Sequence, residues 1–201
     1  NDYTDGLALQ AIKLVFENLV SSVKNADFVS REKMHNASTM AGMAFANAFL
    51  GMSHSMAHKI GGFFHTVHGR TNAILLPYVI RYNGTRPAKA ATWPKYNYYR
   101  ADEKFQDIAR MLGLPSSTPE EAVDALAKAV YELGEAVGIE MNFKAQGVNH
   151  KEWLATIHAI AMLAYEDQCS PANPRLPMVA DMEEILADAY FGYKERPGRI
   201  K

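Results

Sequence analysis

The chain has 201 residues, with 21 Lys and Arg against 22 Asp and Glu, a formal net charge of −1, and 48 % hydrophobic against 21 % charged side chains. This near-neutral balance offers a polyanion no electrostatic footprint, which excludes nucleic acid and anionic membrane surfaces as partners, and the length fits one domain. A single cysteine, Cys169, allows no internal disulfide and points to a reducing, cytoplasmic setting.

In chain order, Leu7, Ala11, Leu14, Val15 and Leu19 recur at the three-and-four spacing of a one-sided helix, with Thr4 or Asp5 available to cap it. No run approaches the roughly 18 consecutive apolar residues of a membrane span, and no signal-peptide succession opens the chain. A second helical run follows Ser30 through Met34, Ala37, Ala41, Ala44, Phe45, Ala48 and Phe49, its small residues suiting close helix packing. GMSHSMAHKIGG (51–62) predicts a short helix stopped by Gly61 and Gly62, because paired glycines favour the backbone of helix ends. FFHTVHG then reads as a loop or turn, leading to a helix over 70–82 kinked at Pro77.

Between Asn83 and Tyr99 two prolines and many aromatics without helical period predict a long ordered loop over 84–99. Trp93, Tyr96, Tyr98 and Tyr99 would anchor it on the domain or meet another subunit. Helices resume over 100–112. Thr118-Pro119-Glu120-Glu121 joins a capping-box pair to proline at the first helical position, starting a helix that ends near Gly138. Asn149 with Glu152 starts another, reaching Tyr165, and after the proline-rich DQCSPANPRLP a last helix fits 179–190. With no alternating β-branched run, the expected class is all-α, a multi-helix bundle.

Chemistry concentrates in residues 51–70, where His54, His58, His65 and His68 account for four of seven histidines. His54 and His58 stand four apart, so one helix face presents both rings, and His68 lies beyond the glycine pair, where the chain can fold back. Imidazole suits zinc, iron, copper and nickel. Ser55 stands where a zinc-protease helix carries its glutamate base, which disfavours proteolysis. The alternative is that these are surface or core histidines satisfied by backbone carbonyls. For His35 and His158, packing or surface roles are the expectation. Cys169 as a nucleophile needs an adjacent base that the sequence does not show, so pocket or core packing is preferred. Met34, Met40, Met43, Met52 and Met56 read as core filling.

The stretch GMSHSMAHKIGGFFHTVHGRTNAILLPYVIRYN closely resembles the signature of the iron-containing alcohol dehydrogenases, with Gly51, His54, Ala57, His58, Gly61, His68 and Gly69 at the matching positions. TDGLALQAIKL, AGMAFANAFLG and DQCSPANPR extend the similarity, and the long insertion at 84–99 most resembles the alcohol dehydrogenase half of bifunctional aldehyde-alcohol dehydrogenases. The resemblance implies the C-terminal, dehydroquinate synthase-like helical domain of such an enzyme over 1–201, incomplete at its N-terminus. It implies one divalent metal, iron or sometimes zinc, held by an aspartate and three histidines, the last two of which match His54 and His68. His58 matches a histidine near nicotinamide and substrate and is the expected proton relay. Phe45 and Cys169 match positions lining the substrate pocket, and His65 sits where relatives vary and would tune that pocket.

The aspartate and first histidine of the family occur as Asp-x3-His just upstream of the TDG segment. Neither Asp2 nor Asp5 is followed by histidine four residues on. NAD(H) binding belongs to an N-terminal α/β domain whose phosphate loop has no counterpart here. The expected activity is NAD(H)-linked interconversion of a short-chain aldehyde and a primary alcohol such as acetaldehyde and ethanol, with the isolated polypeptide inactive. Expected partners are the small-molecule alcohol or aldehyde, the rest of the same polypeptide, and further copies in an oligomer or filament. The competing expectation is a non-catalytic helical assembly module.

Overall fold

The computed structural model describes residues 1–87 and 99–193. Among them are eight α-helices and no strand: α1 (Asp2–Lys24), α2 (Phe28–Ala48), α3 (Met52–Phe64), α4 (His68–Gly84), α5 (Ala101–Met111), α6 (Pro119–Ala136), α7 (His150–Tyr165) and α8 (Val179–Phe191). A short 3₁₀ turn at Ser170–Ala172 lies between the last two. The all-α expectation holds. Most of the expected 84–99 loop, with Trp93, Tyr96 and Tyr98, lies outside the described residues.

Four of the eight described helices, α1, α2, α6 and α7, start on side-chain caps. Asn1 caps α1, its Oδ1 accepting from the Thr4 backbone N–H at 3.0 Å, so Thr4 is the third helical residue rather than the cap. Helix α2 begins at Phe28, ahead of the run expected after Ser30, because Asp27 caps it: its Oδ1 accepts from Ser30 N–H at 2.8 Å and its Oδ2 from the Ser21 hydroxyl at 2.7 Å. Ser30 is thus already inside the first turn, where its N–H needs a partner. For α6, Thr118 accepts from Glu121 N–H at 3.2 Å, while the Glu121 carboxylate reaches back past the cap to Ser117 N–H at 2.7 Å. Asn149 caps α7 through Lys151 and Glu152 N–H groups.

The expected stop at Gly61-Gly62 is corrected. Helix α3 runs through both glycines to Phe64 and ends at His65, whose φ of 54° is left-handed. Glycine permits a helix end without compelling one, and here the reversal is taken by a histidine at a cost on the order of 1 kcal/mol. Only residues 65–67 separate α3 from α4, so His68 opens a helix instead of lying in a loop. Pro77 lies inside α4 and is buried.

One core joins α3, α4, α7 and α8: Met52, Met56, Ile60, Leu75, Trp153 and Leu186 are each 0–1 % exposed. A satellite cluster of Ile80, Val123, Leu126 and Ala127 ties α4 to α6, with Phe105 and Ile108 of α5 against it. Of the five methionines read as core, Met52 and Met56 qualify, Met34 and Met40 are half-buried, and Met43 is exposed. The difference follows the helices: α3 is enclosed, whereas α1 and α2 form a hairpin packed chiefly on itself. An apolar cleft of about 510 Å³ runs between that hairpin and the α4–α6 cluster, lined among others by Ile12, Phe16, Phe45, Leu76 and Phe105. Helix α1 also amends the membrane expectation, because an 18-residue window within it has a mean hydropathy of 1.2 and matches a span by length and composition; those apolar residues instead meet α2 and the cleft.

Candidate metal centre and proton relay

His54 and His58 sit one turn apart on α3, and the three-residue link returns the chain so that His68, first residue of α4, faces them. Ring centroids are 5.4 Å apart for His54 and His68, 5.4 Å for His58 and His68, and 6.2 Å for His54 and His58. With metal–nitrogen bonds of about 2.0–2.1 Å and tetrahedral angles, two imidazoles on one ion have centres about 5 Å apart. The His54–His68 and His58–His68 pairs both stand at that separation, the first with its rings tilted by 54° and the second nearly parallel at 13°. A four-coordinate ion would need two further donors beyond either pair.

Electrostatics favour the ligand form at His54. Burial first, then the neighbouring His68 and His58, push its pKa below the ordinary imidazole value, leaving a neutral ring with a free lone pair. Asn72 supports the other ring: its Nδ2 lies 3.1 Å from His68 Nε2 and its Oδ1 accepts from Ser53 Oγ at 2.9 Å, linking α4 to α3. As the amide is placed, Nδ2 donates and His68 Nε2 accepts, so this contact fixes the ring on α4 and engages that nitrogen's lone pair until an ion displaces it.

The loop after α7 closes the other side. Ser170 Oγ donates to Ser55 Oγ at 2.9 Å, so the residue in the protease glutamate's place is a buried strap. Asn173 Oδ1 accepts from Met52 N–H at 3.2 Å and its Nδ2 donates to Asn83 Oδ1 at 2.7 Å. A Cβ on Gly51 would lie 2.7 Å from that Asn173 oxygen, so only glycine lets the loop sit this close.

This strap carries Asp167 to His58. The Asp167 Oδ2 lies 2.8 Å from Lys59 Nζ and 3.3 Å from His58 Nδ1, while Oδ1 accepts from the Cys169 backbone N–H at 3.0 Å. Burial opposes the charge of this carboxyl, yet the bonds from Lys59, Cys169 and His58 outweigh it and hold its pKa well below the carboxylate range. Burial and Asp167 together raise the Cys169 thiol. His58, Asp167 and Cys169 do bring possible ligand atoms within 4.8 Å of one another. The carboxylate among them is already paired with the Lys59 ammonium at 2.8 Å and with His58 at 3.3 Å.

The fold thus gathers His54, His58, His68 and Cys169. Phe45 and His65 lie elsewhere among the described residues. Phe45 lines the apolar cleft, and His65 lines a separate cleft of about 460 Å³ with Phe63, Arg70, Phe143 and Glu152. His35 is exposed, and His158 is exposed and paired with Glu183 of α8, as surface roles require. Sequence reasoning missed Asp167, Lys59, Asn72 and Asn173. Asp167 and Asn173 do stand in the quoted DQCSPANPR, and Lys59 adjoins His58, but nothing along the chain indicates that they meet.

The family profile described as "Fe-containing alcohol dehydrogenase family, C-terminal" matches residues 1–190. The aldehyde-alcohol dehydrogenase of Streptococcus pneumoniae serotype 4 is 81 % identical over all 201 residues, which cover 23 % of its length. The bifunctional aldehyde-alcohol dehydrogenase of Escherichia coli K12 is 40 % identical over 96 % of the chain and 22 % of its own length. The solved alcohol dehydrogenase from Oenococcus oeni superposes with a TM-score of 0.80 at 32 % identity, covering 94 % of this chain and 46 % of that one. The chain therefore spans about a quarter of these curated relatives. Matching profile, relatives and helical architecture agree: the chain belongs to the Fe-containing alcohol dehydrogenase family, as its C-terminal helical domain.

Proposed function

We propose that this domain forms the metal and substrate side of an iron-dependent, NAD(H)-linked alcohol dehydrogenase within a longer, bifunctional polypeptide. It interconverts a short-chain aldehyde and a primary alcohol, such as acetaldehyde and ethanol, in the cytoplasm. The observation that carries the reading is the convergence of His54 and His68 at a separation suited to one ion, with His58 beside them. When bound by His54, His68 and donors from the rest of the polypeptide, a divalent iron or zinc supplies a Lewis acid for alkoxide and carbonyl.

The chain's own residues do the remaining work. Burial keeps His54 neutral, and Asn72 holds the His68 ring against α3. His58, with a side chain 36 % exposed, accepts the hydroxyl proton and passes it to water. Hydride transfer is the nicotinamide's own chemistry, so the protein's part is to position the two partners. NAD(H) is held by an N-terminal domain; Cys169, beside His58, backs the substrate side from its buried position, whereas Phe45 and His65 border two other clefts away from His54, His58 and His68. Residues 1–201 alone are inactive.

The test uses the full-length polypeptide. His54→Ala and His68→Ala should each lose bound metal and turnover together, whereas His58→Ala should slow turnover about 100-fold or more with metal retained. Equal metal loss in all three variants, or NADH-linked ethanol turnover by residues 1–201 alone, overturns the reading.

A further inference from the structure

The half-buried Asp167 has no place in the proposed function so far, although it touches the relay histidine. We infer that Asp167 is a positioning residue for His58: it fixes which ring nitrogen carries the proton and where the ring points. This rests on the reading of His58 as proton relay.

Asp167 Oδ2 faces His58 Nδ1 at 3.3 Å. An ionised carboxylate only accepts hydrogen bonds, so Nδ1 must donate, and the lone pair is left on Nε2 at the other edge of the ring. A proton acceptor is useful only with that tautomer populated and that edge turned to the substrate, the logic by which a third group orients a catalytic base.

The carboxylate is built to stay fixed and charged. Its side chain is 7 % exposed, Lys59 supplies a counter-charge at 2.8 Å, and the Cys169 N–H donates to the second oxygen at 3.0 Å. Its own N–H bonds Ala164 O, and its carbonyl accepts from Ser170 N–H. The Ser55–Ser170 and Met52–Asn173 bonds clamp this loop to α3, the helix that bears His58. The Lys59 pair alone would not require the second contact to His58. The same geometry gives Cys169 a part through its backbone N–H, with its protonated thiol uninvolved.

The test is a double-mutant cycle in the full-length, metal-loaded enzyme: Asp167→Asn, His58→Gln and the double variant, each assayed for kcat, KM, bound metal and thermal midpoint. Asp167→Asn should lower kcat about 10- to 100-fold with KM for alcohol and metal content unchanged, and should add less than about 2-fold once His58 is Gln. Equal losses in both backgrounds mark a merely structural residue and overturn the inference, as does an unchanged kcat. If His58→Gln itself leaves kcat intact, the relay reading fails, separately from Asp167. Should Asp167→Asn not fold, Asp167→Ser, which keeps a polar partner for the Cys169 N–H, is judged by the same coupling.

Discussion

The helices that carry the histidines and the hairpin at the start of the chain are built on opposite terms. In α3, six of thirteen residues are buried, and polar bonds strap the helix to a loop more than a hundred positions away. Helices α1 and α2 are longer, yet α1 buries only Thr4 and Ala11, and α2 only Ser30, Ala37 and Ala44. Phe28 and Phe49 stay 81 % and 52 % exposed. Regular helix therefore does not measure how firmly a segment is held. The hairpin owes its helicity to caps and self-packing, whereas α3 is packed on one face by α4, α7 and the loop after α7 and leaves His58 and Phe63 exposed, and ligand geometry needs that firmer hold.

The sharpest way to break the comparison is to empty the core under α3. Trp153 stacks between Phe143 and Phe64, with centroids at 4.9 and 5.4 Å. Trp153→Ala should cost about 3–5 kcal/mol in chemical denaturation, against a change within about 0.5 kcal/mol for Phe28→Ala on the hairpin. Equal effects would erase the distinction. Next, Gly51→Ala should displace Asn173 and loosen the strap, costing about 1–3 kcal/mol and weakening metal retention in the full-length enzyme, measured by melting temperature and metal content.

On the hairpin side, acid is the gentler probe. Bonds from the Ser30 and Ser21 groups lower the Asp27 pKa to about 2 from 3.8. A depressed folded-state pKa stabilises above the unfolded value and is lost as pH falls through the folded one. The α2 start should thus loosen between about pH 4 and pH 2, read by amide exchange, and Asp27→Asn should flatten that dependence.

Legibility in the sequence divides along the same line. Thr118 and Asn149 announce their helices because a cap is local chemistry, and His54 with His58 was readable because the four-residue offset needs only a helix. Asn1 is displaced as a cap by Thr4 and Asp5, since any small polar residue near the right place offers the same signal and backbone dihedrals decide. Gly61-Gly62 misled for a related reason, while the true stop at His65 carries no glycine to mark it. The pairing of Asp167 with His58 spans 109 positions and depends on where the α7–α8 loop lands, which no local pattern encodes.

The link between α3 and α4 has one more implication. Because only residues 65–67 separate the two helices, and His68 opens the second, the phase of that ring is tied to the residue count of the bend. Inserting or deleting one residue there would swing the α4 side chains by about 100° around their axis and carry His68 away from His54. This stretch should therefore accept changes of residue type far more readily than changes of length, a rule that a library built over positions 65–67 would expose directly.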